Sequence, residues 1–265
     1  MELITSTKNP KLRLLLELQQ KSSERRKRGL FVVEGQRELQ HCIEAGFEVD
    51  TLFICPDLLS EQVKLPESKC VELSKEVYEK VAYRGSTEGL IAEVKVRENG
   101  LGQLARQIDL ESPLIVVLES VEKPGNLGAV LRSADAAGVD AVIVCDPLTD
   151  LYNPNLIRSS IGAIFSVPVA TCTSEECIAF LKANKIQILT AQLQDSELYY
   201  NTPMTGPTAL VMGTESTGLT NQWREAADAH IRIHMLGRLD SLNVSVSAAI
   251  LMFEAVRQRG YAQKT

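Results

Sequence analysis

The order of apolar and polar residues divides the chain into two α/β stretches. After a turn-like STKNP, residues 11–28 carry apolar positions at helical spacing, which predicts one amphipathic helix closed by Gly29. LFVVEG (30–35) reads as a short strand, QRELQHCIEAG (36–46) as a helix ending at Gly46, and VDTLFICP (49–56) as a second strand. VELSKEVYEKVAYR gives strand-end and then helix signals, and GLIAEVKV (89–96) alternates as a last strand should. Residues 1–97 therefore form a compact α/β domain of ordinary size, and the polar, partly unpatterned residues 98–112 are a linker or connecting helix.

From residue 113 to 265, strands and helices alternate. PLIVVLES (113–120) is continuously apolar, as a strand covered on both faces requires. A helix from about Asn126 to Ala137 is followed by the strand VDAVIVC (139–145), a polar loop, and a short strand at FSVPVA (165–170). SEECIAFLKANK is a helix with Ser174 as its cap and Glu175 and Glu176 in its first turn. KIQILTAQL, TALVMG and IRIHM are further strands. The final helix, SLNVSVSAAILMFEAVRQRG (241–260), places Val244, Ala248, Leu251, Met252 and Ala255 on one buried face. Its small residues Ser245, Ser247, Ala248 and Ala249 admit a second backbone closely. This order predicts a mainly parallel sheet with helices on both faces.

Composition narrows the class. No apolar run reaches membrane-spanning length, and the N-terminus lacks a signal-peptide core. The six cysteines show no CxxC pair and no Cys/His metal spacing, and read as reduced, buried thiols of a cytoplasmic protein. The net charge of −6 argues against indiscriminate nucleic-acid binding, but residues 1–29 hold eight Lys/Arg and three Glu, a local +5 against −11 for the rest. Such an arm meets a polyanion locally; on charge alone, a solvated helix face fits equally.

Parallel α/β sheets bind ligands at the carboxyl ends of their strands, and three of these ends carry unusual residues. In ESVEKPGNLGAVLR (119–132), Asn126 is placed as an N-cap, and Gly125, Gly128 and Arg132 share a helix face, a notch for a guanidinium that meets a phosphate or ribose. In MGTESTGL (212–219), Gly213 and Gly218 flank Glu215 and permit close backbone approach, without a phosphate-loop ending. Ile233-His234-Met235 leads through Gly237 to Ser241-Leu242-Asn243, a hydroxyl and an amide flanking an apolar wall. His234 has no acidic or nucleophilic partner nearby in sequence and is read as structural.

These three segments, in this order and spacing, resemble the three motifs of the SpoU (TrmH-type) RNA ribose 2′-O-methyltransferases, over residues 113–260. Residues 1–97, with STKNPK, RRKRGLFVVEGQREL and GLIAEV, resemble the RNA-binding substrate domain that precedes the catalytic domain in many members, less closely at VAYRGSTEGL. The resemblance implies a C-terminal trefoil knot, S-adenosylmethionine as methyl donor with no metal, and a homodimer. It matches Asn126 and Arg132 to motif one, Glu215 to motif two, and Ser241 and Asn243 to motif three, with backbone cofactor contacts at Gly213, Ile233 and Leu242. His234 stands where the family often has proline. Methylation of a ribose in ribosomal RNA is the expected activity, with Lys8, Lys11, Arg25, Arg26, Lys27 and Arg28 as phosphate contacts. A tRNA substrate, or a non-catalytic RNA-binding protein retaining the fold, are the competing readings.

Overall fold

The structure is a computed structural model that describes residues 2–59, 69–83 and 88–260; residues 84–87 of the weakly matching VAYRGSTEGL stretch lie outside them. In chain order the first elements are β1 (Glu2–Ile4), α1 (Pro10–Gln20), α2 (Ser22–Arg28), β2 (Leu30–Glu34), α3 (Gln36–Glu44), β3 (Val49–Ile54), β4 (Cys70–Leu73), α4 (Lys75–Val81) and β5 (Leu90–Lys95). They are followed by α5 (Leu101–Gln107), β6 (Leu114–Glu119), α6 (Pro124–Ala137), β7 (Ala141–Cys145), α7 (Pro154–Ser159), α8 (Ala163–Ser166), β8 (Val169–Cys172) and α9 (Ser174–Ala183). The chain closes with β9 (Gln187–Ala191), β10 (Glu197–Leu198), β11 (Thr208–Met212), α10 (Asn221–Ala226), β12 (Ala229–Arg232) and α11 (Val244–Gln258). They form two compact units, Met1–Arg97 with Asp150–Ser166, and Glu98–Thr149 with Val167–Thr265.

The first unit is a five-stranded mixed sheet in the order β1-β4-β3-β5-β2. The helix predicted over 11–28 is two helices, because Lys21 is extended (φ −118°) and serves as C-cap of α1 and N-cap of α2. Leu12, Leu15 and Leu18 bury one face of α1. On α2 the buried residue is Arg25, whose guanidinium donates to the Leu18 carbonyl at 2.6 Å, one of the carbonyls that the end of α1 leaves without a helical donor. Gly29 closes α2 in the left-handed conformation, as predicted.

The excursion Asp150–Ser166 supplies this unit with an acid and two aromatics. Asp150 pairs with Arg25 at 2.5 Å. Tyr152 stacks on Phe31 with ring centroids 4.3 Å apart, and Phe165 stands edge-on to Phe47 at 5.3 Å. That use of Phe165 explains why the strand predicted over 165–170 is displaced to Val169–Cys172: the start of the apolar run is helical and serves one core, and only its end joins the second sheet.

The second unit is a seven-stranded sheet, order β10-β12-β9-β11-β6-β7-β8, with every described pair parallel. Each residue of β6, β7 and β11 is buried, as continuous apolar runs require when both faces are covered. On one face, α5, α9 and α10 contribute Leu104, Cys177, Leu181 and Trp223 to a core with Ile115, Val117, Ile143 and Val211. α6 and α11 pack on each other, and α11 also on β6 and β11. All five residues predicted for the inner face of α11 are buried.

The cap of α9 is Thr173 and not Ser174. Thr173 Oγ1 accepts the Glu176 N–H at 3.2 Å, while the Glu176 carboxylate accepts the Thr173 N–H at 2.8 Å. Ser174 is thereby turned inward to the polar cluster around Glu119.

Glu93, on β5, is 4% exposed, and its Oε1 has no hydrogen-bond partner among the described residues. Burial, with the Asp50 carboxylate adding to it, pushes the Glu93 carboxyl up to about 7. Between pH 4.5 and about 7 the folded chain holds a proton that the unfolded chain has released, so stability falls as pH rises through this window. The Glu93→Gln substitution should remove that loss, worth at most about 3 kcal/mol. Urea unfolding at pH 5 and pH 8 checks this; an equal loss in variant and parent would contradict it.

Candidate active site

Asn126, Glu215 and Asn243 come from three separate stretches and meet at one carboxylate. Asn126 Nδ2 donates to Glu215 Oε1 at 3.1 Å, and Asn243 Nδ2 donates to the same oxygen at 2.6 Å and to Asn126 Oδ1 at 3.1 Å. Lys123 Nζ takes the other oxygen, Oε2, at 3.0 Å. Its ammonium, hydrogen-bonded to Glu215, holds that carboxyl below the ordinary carboxylate range. Lys123 is the member that sequence reasoning missed; its position just ahead of Pro124 was the available signal.

Each partner is placed by local rules. Lys123 is the N-cap residue of α6 and Pro124 its first helical residue, so Asn126 lies inside the first turn and is not the cap. Its amide is thus free to reach across to Glu215. Asn243 is a true cap: its Oδ1 accepts the Ser245 N–H at 3.0 Å and the Ser245 hydroxyl at 2.6 Å. Gly213 opens a closed turn in which Thr214 and Gly218 bridge backbone to backbone, and a Cβ on Gly213 would collide with the Gly218 backbone. Gly218 has φ +67°, so both glycines that bracket Glu215 are required by the turn.

Beneath this turn lies Glu119, 2% exposed, at the end of β6. It accepts the Thr220 N–H at 2.9 Å and the Thr220 hydroxyl at 2.7 Å, and Ser174 Oγ reaches it at 3.3 Å. Ser174 also donates to Asp146 at 2.6 Å and accepts the Trp223 indole N–H at 3.0 Å. Thr220 directly follows the 213–219 turn, so this buried network fixes the base of the turn to β6 and α9.

Two grooves flank the carboxylate's loops. One, of about 120 Å³, is lined by Val121, Lys123, Asn126, Gly213, Glu215 and Val244 among others. A second, of about 130 Å³, brings together Ile233, Ser241 and Leu242 with Ile231, Asp240 and Leu251. The predicted cofactor positions are thus divided, Gly213 in the first groove and Ile233 and Leu242 in the second. Its walls are largely apolar, with Arg232 and Asp240 as the charged residues of the lining, and suit a partly apolar ligand that also carries polar groups. Among the described residues, Ser241 Oγ hydrogen-bonds to the neighbouring Asp240 alone, at 3.3 Å.

Arg132 lines neither groove. It is exposed, six residues beyond Asn126, about 9 Å along the helix axis, and no described residue holds its guanidinium. The expected notch is not formed: Gly128 is buried, whereas Gly125 and Arg132 are exposed. His234 is exposed, while His230 accepts or donates a 2.6 Å bond with Thr190 and is structural.

In the basic arm, Lys8, Lys11, Arg26, Lys27 and Arg28 are exposed. Lys11 pairs with Glu2 at 2.7 Å and Arg28 with Glu24 at 3.6 Å. Arg25 does not offer its guanidinium to a phosphate: it is 3% exposed and committed to Asp150, Leu18 and Gln19.

Residues 113–253 match the SpoU rRNA methylase family, and residues 9–92 match an MRM3-like substrate binding domain. The chain belongs to the SpoU family. It is 41% identical over 177 residues to the 23S rRNA (guanosine-2′-O-)-methyltransferase RlmB of Photorhabdus laumondii, which covers 65% of this chain and 72% of that protein. A crystal structure of an RNA 2′-O ribose methyltransferase superposes with a TM-score of 0.81 at 37% identity, covering 97% of this chain and 99% of the other. An AdoMet-bound rRNA methyltransferase from Sinorhizobium meliloti gives 0.85 at 26% identity, covering 97% of both chains. The SPOUT-like α/β fold implied by the three motifs is the fold observed. Among the described residues, no helix is long and apolar enough to cross a membrane.

Proposed function

We propose that this SpoU-family chain methylates a ribose 2′-hydroxyl in ribosomal RNA, with S-adenosylmethionine as donor, at the loops around Glu215. The observation that carries this reading is the convergence of Asn126, Glu215 and Asn243 on one carboxylate beside the groove of Ile233, Ser241 and Leu242. Membership of the family supplies the class of enzyme, an S-adenosylmethionine-dependent RNA ribose methyltransferase. Relatives named for 23S rRNA favour ribosomal RNA over tRNA, and hence work in the cytoplasm where ribosomes are made.

The donor would supply a methyl carbon activated by a positively charged sulfur, and the backbone at Ile233 and Leu242 with the turn at Gly213 would hold it. The side chains align an in-line displacement. Asn126, Lys123 and Asn243 lock Glu215, and with it the 213–219 turn, so Glu215 is a clamp on the loops. Asn243 spends both ends of its amide on that clamp and its own helix cap, leaving the Ser241 hydroxyl to position the nucleotide. The Arg132 guanidinium acts on the developing alkoxide electrostatically, with the proton leaving to phosphate or water. A non-catalytic relative would have no need of these residues in one cluster.

Val246 and Phe253, 46% and 42% exposed and seven residues apart, leave an apolar stripe on α11. A second copy of the chain covers it, making the homodimer. Exposed basic residues of the arm hold the RNA by its phosphates.

Replacing Arg132 by Ala should lower methyl transfer by at least about a hundredfold while S-adenosylmethionine affinity stays within roughly twofold. Near-normal turnover would remove Arg132 from the mechanism, and ribose-methylation maps of cellular RNA with and without the protein identify the substrate, a change confined to tRNA overturning the ribosomal assignment. Replacing Arg26 and Lys27 together by Ala should flatten the plot of log affinity against log salt by up to about one unit per charge. An unchanged slope would mean that the arm is merely solvated. In light scattering, the Phe253→Glu chain should run at half the parent's mass; a parent that already runs as a single chain ends the dimer reading.

A further inference from the structure

Three thiols that play no part in the methyl-transfer site converge elsewhere in the second unit. Cys145 ends β7 and Cys172 ends β8, and these parallel strands pair with the two residues in register. Cys177 is the fourth residue of α9, the helix that follows β8. The sulfurs of Cys145 and Cys172 are 4.0 Å apart, and all three lie within 4.8 Å of one another.

Those separations match a metal better than a disulfide. A cation bonded to three thiolates at about 2.3 Å, the zinc–sulfur length, spaces them about 4 Å apart, slightly less when a fourth ligand makes the site tetrahedral. A disulfide would instead bring two sulfurs to about 2.0 Å, roughly half the separation found between the free thiols of Cys145 and Cys172. Cys145 and Cys177 are buried, while Cys172 is partly exposed, which leaves an entry path and room for water as the fourth ligand. The neighbouring acids Asp146 and Glu176 give the surroundings the sign that a cation favours.

We propose that Cys145, Cys172 and Cys177 form a three-thiolate site for a thiophilic divalent cation of the zinc class. The step is balanced by proton release: three S–H bonds break, three metal–sulfur bonds form, three protons pass to solvent and no electrons move. The site ties together the ends of two strands and the first turns of α9. β8 is an edge strand, and the chain departs for the first unit between Thr149 and Val167, so the tie secures the root of that excursion. The spacing of the cysteines conceals it, because only the parallel pairing of β7 with β8 brings Cys145 to Cys172.

The test titrates the reduced, metal-free full-length chain anaerobically with Cd(II), and with Zn(II) against a chromophoric chelator. One equivalent should bind per chain, with thiolate-to-cadmium charge-transfer absorption in the near ultraviolet. Cys172→Ser changes a partly exposed residue and should weaken binding by at least roughly tenfold and lower the band, with an unchanged circular dichroism spectrum. Cys177→Ser should do the same, and Cys70→Ser, in the other unit, should leave binding as it was. Absence of the band in the folded parent, or Cys172→Ser and Cys177→Ser chains that bind as tightly as the parent, would overturn the proposal.

Discussion

The carboxylate of Glu215 is the point on which the working part of the molecule depends. Three donors, Lys123, Asn126 and Asn243, satisfy it from two other stretches of chain. Exposed ion pairs taken singly contribute little, but here one acid has to meet all three donors at once, which defines where the start of α6, the 213–219 turn and the start of α11 lie. The turn can meet this demand only without a side chain at Gly213, where a Cβ would strike the Gly218 backbone.

The same turn is held from below by a second acid. Glu119 is buried, and leaving a buried carboxylate without donors costs several kcal/mol, so Thr220, Ser174 and, through Ser174, Trp223 are drawn to it. The two acids play different parts. Glu119 anchors the turn to the sheet and is closed to solvent, whereas Glu215 lies at the surface, where its donors align the loops around it. Packing of α6 on α11 completes the frame, with Ala248 and Gly128 among the small residues buried there.

Arg25 and Arg132 show how burial sorts residues of the same charge. Both are arginines on helices. Arg25 is drawn inward by Asp150 and by carbonyls at the end of α1, and a buried pair of this kind is destabilising to break. Arg132 has no such partner among the described residues and stays exposed. Had Asp150 not returned to the first unit with the 150–166 excursion, Arg25 would read like its exposed neighbours Arg26 and Lys27.

The sequence by itself determined the α/β class, most of the strands and longer helices, the buried face of α11 and the three stretches that meet at Glu215, because hydrophobic period and glycine placement are local properties. It also carried the family, since the motifs are contiguous. Tertiary structure alone decided which residues share a partner. The burial of Arg25 and the place of Lys123 each depend on a residue distant in sequence. So does the gathering of Cys145, Cys172 and Cys177, which follows from strand neighbours and registers. Local periodicity is set by bonds along the chain, whereas hydrogen-bond partners, ion pairs and buried clusters are set by which elements the fold lays side by side.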